Sequence, residues 1–75
     1  MVTVFRTGGL RFVIYLNDHE PAHLHVYGDG EARIDIMTLR VLSVRGMSQR
    51  DVSRALGTIA EKRDYFLQCW TDIHG

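Results

Sequence analysis

Ala22-His23-Leu24-His25-Val26-Tyr27-Gly28-Asp29-Gly30-Glu31-Ala32-Arg33-Ile34-Asp35-Ile36 decides the fold. Apolar and polar residues alternate on both sides of the Gly28-Asp29-Gly30 break. Successive side chains of a β-strand point to opposite faces, so Ala22, Leu24 and Val26 share one face, as do Ala32, Ile34 and Ile36. Folding the stretch about Asp29 sets Val26 against Ala32 and Leu24 against Ile34. A hairpin then buries that face and leaves His23, His25, Tyr27, Arg33 and Asp35 on the other.

The same test extends outward in both directions. Val2 to Arg6 and Leu10 to Leu16 read as two earlier strands separated by Thr7-Gly8-Gly9, and Leu39 to Val44 as a fifth after Met37-Thr38. Folding about Gly8 sets Val4 against Phe12 and Val2 against Ile14. Folding about His19 sets Ile14 against Leu24 and Phe12 against Val26. The last turn sets Ile36 against Leu39 and Ile34 against Val41. Every turn delivers apolar residues to one common face, and a slip by one residue at any of them would break the agreement.

From Ser48 the period changes. Ser48 is a suitable N-cap with Asp51 at the third helical position, and Met47 and Val52 stand where a hydrophobic staple forms. Val52, Ala55, Leu56, Ile59, Phe66, Leu67, Trp70 and Ile73 follow as one apolar stripe, with Arg54, Glu61, Asp64, Gln68 and Asp72 opposite. Gly57 falls on the polar side. The expected architecture is α+β: strands within residues 1–45 form a five-stranded antiparallel meander, and one long helix over 48–74 packs on its apolar face. A helix of about 25 residues spans about 37 Å, which is longer than such a sheet is wide. Its end, carrying Arg63, Phe66 and Trp70, is therefore expected to overhang and to meet a second copy of the chain or a small cognate protein.

Bulk composition narrows the function. Seventy-five residues make a single domain with a small core, one that gains from a metal or a second subunit. Cys69 is the only cysteine, so no internal disulfide forms, and a lone thiol fits a reducing cytoplasm. Nine basic residues balance nine acidic ones, which disfavours nucleic-acid binding by bulk charge. No apolar run reaches the ~18 residues of a membrane span, and no signal-peptide pattern follows Met1.

Three of the four histidines lie between His19 and His25. Parity puts His23 and His25 on the face away from the helix, beside Tyr15 from the second strand and Asp35 and Arg33 from the fourth. Asp18 and His19 sit in the loop at one end. Three uses fit these residues. His19, His23 and His25 suit a divalent transition metal such as zinc, with carboxylates orienting the imidazoles. His23 with Asp35 suits general acid–base work. His25, Arg33, Tyr15 and Tyr27 suit a phosphate or RNA. The spacing matches no standard zinc motif, and a half-exposed strand face tolerates histidines without any function.

The combination Tyr15, Asn17, Asp18, His19, then Pro21, His23, His25 and Val26, then Gly28 and Glu31 to Ile36, with Arg63 followed by Trp70, resembles the domain of unknown function 4160 family. The resemblance covers nearly the whole chain. Gly9-Leu10-Arg11-Phe12 is close to the usual form without matching it, and Ala22 stands where the family often carries a second proline. The resemblance implies a small cytoplasmic prokaryotic protein encoded beside another small protein, in a toxin–antitoxin-like two-gene module. It assigns no chemistry to the histidines.

Three functions follow as expectations. The first is an interaction or regulatory component of such a module, acting as a homodimer or with its cognate partner. The second is a metal-dependent or histidine-based ribonuclease or phosphoester hydrolase that uses His19, His23, His25 and Asp35. The third is a metal-binding module without catalysis. Charge neutrality favours the first, and the histidine cluster favours the other two.

Overall fold

A computed structural model describes residues 1–75. Five strands, β1 (Val2–Thr7), β2 (Leu10–Ile14), β3 (His23–Tyr27), β4 (Glu31–Asp35) and β5 (Val41–Arg45), precede two helices, α1 (Gln49–Glu61) and α2 (Arg63–His74). The strands form one antiparallel sheet in the order β1-β2-β3-β4-β5, which is the expected meander. The decisive hairpin has the register that its alternation requires: Val26 pairs with Ala32 and Leu24 with Ile34. Its turn lies against the β5–α1 connection so tightly that a Cβ on Gly30 would overlap the Arg45 carbonyl oxygen and the Gly46 carbonyl carbon, so only glycine fits there.

Two registers differ from the expectation, each through one extra residue. Val2 pairs with Ile14 as expected, but Phe12 faces Phe5 and not Val4, because β1 bulges at Val4. The bulge brings the Phe5 ring to 6.0 Å from both Phe12 and Phe66, and the Val4 carbonyl accepts a 2.6 Å hydrogen bond from the Tyr65 hydroxyl. On the other side Ile34 pairs with Val41 as expected, but Arg33 pairs with Ser43, which leaves Leu42 as the extra residue. Ile36 does not pair with Leu39. Asp35 and Arg40 close a turn there, and Leu39 takes a left-handed φ of 63°. The packing of the Leu39 side chain against the core offsets the strain of that conformation.

The single long helix is the main correction. The chain breaks at Lys62 (φ −113°, ψ 27°) into segments of 13 and 12 residues. An unbroken helix over 49–74 would measure about 39 Å, whereas the longest dimension of the Cα trace is 33 Å. Breaking at Lys62 keeps both halves on the sheet. Ala55 and Ile59 of α1 and Phe66 and Trp70 of α2 are all buried in one core with Phe12, Leu24 and Ile34. No helix end overhangs, so Phe66 and Trp70 belong to the chain's own core instead of a free interface. Arg63, polar within the apolar stripe, donates from Nε to the Ile36 carbonyl at 3.1 Å and satisfies the end of β4. The helix start is as read: the Ser48 hydroxyl accepts from the Asp51 amide at 3.1 Å. No helix is long and apolar enough to cross a membrane.

Candidate metal centre

The β2–β3 connection builds the site. Where β2 ends, the Asp18 amide donates to the Tyr15 carbonyl (3.1 Å) and the Tyr15 amide donates to Asp18 Oδ2 (3.0 Å). This closed turn anchors one carboxylate oxygen and aims the other, Oδ1, at β3. There Oδ1 lies 3.2 Å from His25 Nε2 and 3.6 Å from His23 Nε2. One ligand atom from each of Asp18, His23 and His25 lies within 4.8 Å of the other two.

Each imidazole is oriented by a further contact. His23 Nδ1 lies 2.7 Å from the Pro21 carbonyl. A carbonyl only accepts, so Nδ1 carries a proton, and in the neutral form of the ring Nε2 is the nitrogen left to take a metal. The edge of the Tyr15 ring meets the His25 ring at 4.6 Å and 89°. Trp70, the chain's one tryptophan, lies 5.4 Å from the His23 ring, and the His74 ring is 3.9 Å from Trp70, tilted by 34°. Burial alone would raise the Asp18 pKa. The Tyr15 amide, the hydrogen bond with His25 and the electrostatic pull of the two imidazoles outweigh it, so the carboxyl is held below its ordinary value and stays ionised at neutral pH.

The open, exposed face expected from parity is therefore closed at this corner. His23 is only 6% exposed and Asp35 8%, and Val13 is fully buried. The Asn17–Pro21 loop and the Trp70 end of α2 cover what the sheet alone would leave bare.

The expected site residues divide as follows. Asp18, His23 and His25 converge, with Tyr15 against them. His19 is exposed and stands outside the group, so the expected trio of imidazoles is replaced by two imidazoles and a carboxylate. Asp35 is the Cα partner of His23, but its Oδ1 accepts the amides of Met37 (2.8 Å) and Thr38 (2.9 Å), so its carboxylate serves a turn and not the imidazole. Arg33 is exposed beside His25 and donates from Nε to Ser43 Oγ at 3.0 Å. Two residues of the site were not singled out from sequence. The Pro21 carbonyl is a backbone group with no sequence signal, and the place of Trp70 in the stripe pointed to the core or to an interface and not to the histidines.

A second polar feature adjoins the centre. The hydroxyls of Tyr15 and Tyr27 are hydrogen-bonded to each other, and the Arg11 guanidinium lies 5.2 Å from the Tyr27 ring centre. Burial and the bond to Tyr15 push the Tyr27 phenol up to about 12, so it is a proton donor throughout the neutral range.

Against known proteins, a family model described as Domain of unknown function (DUF4160) matches residues 9–71. The chain belongs to that family. No curated protein and no solved structure matches it.

Proposed function

We propose that this member of the family is a metal-binding protein that holds one divalent transition ion, such as zinc, through Asp18, His23 and His25. One observation carries the reading: a single carboxylate oxygen lies 3.2 and 3.6 Å from two imidazole nitrogens. Ligands on one zinc at about 2.0–2.1 Å, in a tetrahedron, stand about 3.3 Å apart, so the carboxylate already lies near coordination distance of both imidazoles, which stand within 4.8 Å of each other. The Pro21 carbonyl supports it by fixing the tautomer that frees His23 Nε2. With His19 exposed and Asp35 committed to its turn, three protein ligands leave a coordination position free. That is the arrangement of hydrolytic zinc sites, and metal-assisted hydrolysis is the reaction class that suits it.

Cobalt(II) titration of the full chain tests the reading. Visible absorption and quenching of Trp70 fluorescence are both expected to saturate at one ion per chain, because Trp70 lies 5.4 Å from the His23 ring. His19→Ala keeps the response, whereas His23→Ala, His25→Ala and Asp18→Ala lose it. An unchanged response in the last three variants would overturn the assignment.

An interaction or regulatory role in a two-gene module is the second reading. It is favoured by β5, a sheet edge with exposed Ser43, Val44 and Arg45 and unpaired backbone groups on its outer side. Light scattering that finds only monomer at micromolar concentration would remove the homodimer form of it.

A further inference from the structure

We propose that the surface beside this centre binds a phosphoryl anion, with the Arg33 guanidinium as its clamp. The inference rests on the metal reading above and names the ligand class of the free coordination position.

Arg33 is free where four other arginines are committed. Arg45 lies 3.7 Å from Glu31, Arg54 is 3.0 Å from Asp51, Arg11 sits over Tyr27 and Arg63 is spent on the Ile36 carbonyl. Arg33 has no carboxylate within ion-pair distance, and its one side-chain bond is Nε to Ser43 Oγ. That bond fixes the plane of the guanidinium while leaving both terminal NH2 groups free. A planar fork of this kind matches two oxygens of a phosphoryl group.

Its position ties it to the metal ligands. Arg33 is the cross-strand partner of His25. It lines a groove of about 460 Å³ with Tyr15, His25, Tyr27, Ser43, Arg45 and Glu31, whose carboxylate is paired with Arg45 at 3.7 Å. It also lines a second, more acidic depression, of about 270 Å³, with Asp18, His19, Glu20, Pro21 and His23. The two hollows flank the metal ligands, and Arg33 is common to both. An anion in either hollow meets Arg33 and the ligand cluster together.

The number of groups selects phosphoryl over carboxylate. A carboxylate has two oxygens, which the guanidinium fork alone would occupy. A phosphoryl group has oxygens to spare for the metal and for a tyrosine. In the Tyr15–Tyr27 pair one hydroxyl donates to the other, so the second keeps its proton for a ligand.

The test uses the cobalt-loaded full chain, titrated separately with inorganic phosphate and with adenosine 5′-monophosphate while the cobalt absorption is followed. Both anions are expected to shift the band in the wild type. Arg33→Gln is expected to weaken both by about tenfold or more, the loss of two charge-assisted hydrogen bonds, with cobalt affinity unchanged. Arg33→Lys, which keeps the charge and loses the fork, should fall between. Arg33 is exposed, so a thermal melt equal to the wild type's shows that the variant folds. Tighter binding of the nucleotide than of phosphate identifies an ester as the ligand, and equal binding identifies the bare phosphoryl group. Cobalt binding with no anion response, or with equal responses in wild type and Arg33→Gln, overturns this inference and leaves the metal reading standing. Absence of cobalt binding overturns the metal reading itself, and this one with it.

Discussion

Phe66→Ala is expected to cost the fold about 3–5 kcal/mol, the usual range for emptying a fully buried aromatic site. Phe66 is completely buried. Its ring stacks on Phe12 at 5.4 Å and 29° and meets the Phe5 ring edge-on at 6.0 Å. It brings α2 against both Phe5, beside the β1 bulge, and Phe12 at the centre of β2. A domain of this length has a total stability on the order of 4–11 kcal/mol, so the variant loses a large share of it. Urea unfolding followed by circular dichroism should show a much lower midpoint with an unchanged slope. Tyr65→Phe is the control next to it. Tyr65 is half exposed and loses only a hydrogen bond to the Val4 carbonyl, about 0.5–1.5 kcal/mol. Comparable losses in the two variants would mean that α2 is not held through the core.

That core was largely legible in the sequence, because side-chain period and turn chemistry are local rules. Leu24, Val26, Ala32 and Ile34 alternate strictly, and the Gly28-Asp29-Gly30 turn leaves one register that buries them all. What the period does not encode is a residue that steps out of it. Nothing in Val4 or Leu42 marks a bulge, since the bulge at Val4 is set by a distant demand, the seat that Phe12 and Phe66 offer to Phe5. Lys62 likewise carries no proline or glycine to announce a helix break. The break follows from the size of the sheet that the helix must cover, a property of the assembled fold.

The candidate centre was legible to the same degree and for the same reason. Strand period placed His23, His25 and Tyr15 together, and all three are together. The loop has no period, so the choice between its neighbours Asp18 and His19 was not readable. It is made by the Tyr15 amide, which captures Asp18 Oδ2 and turns the other oxygen inward. Parity also assigned His23 and Trp70 to opposite faces and so hid their contact. Treating the sheet as flat up to its end made that corner look open, whereas the loop and α2 close over it.

Zinc is expected to raise the melting temperature of the chain by roughly 10–20 °C when present at a hundredfold excess over its dissociation constant. A ligand that binds only the folded state adds about 2.7 kcal/mol at that excess, and each kcal/mol moves a domain of this size by about 4–8 °C. The premise that the unfolded chain binds little is physical. His23 and His25 are close in any conformation, but Asp18 Oδ1 joins them only through the Tyr15–Asp18 turn and the β2–β3 pairing. The carboxylate is therefore the ligand that couples metal binding to folding. Asp18→Asn tests this coupling with little change of shape, since the amide oxygen can still accept from the Tyr15 amide. Its melting temperature without metal should stay within a few degrees of the wild type's, while the zinc-induced rise collapses. His19→Ala should keep the full rise. An equal rise in wild type and Asp18→Asn would show that zinc stabilises the chain from elsewhere, and an equal rise in His23→Ala and His25→Ala would remove the centre altogether. The bonds that His25 Nε2 donates to Asp18 and His23 Nδ1 donates to Pro21 do not depend on an ion. A folded chain whose stability rises with metal is therefore the expected result.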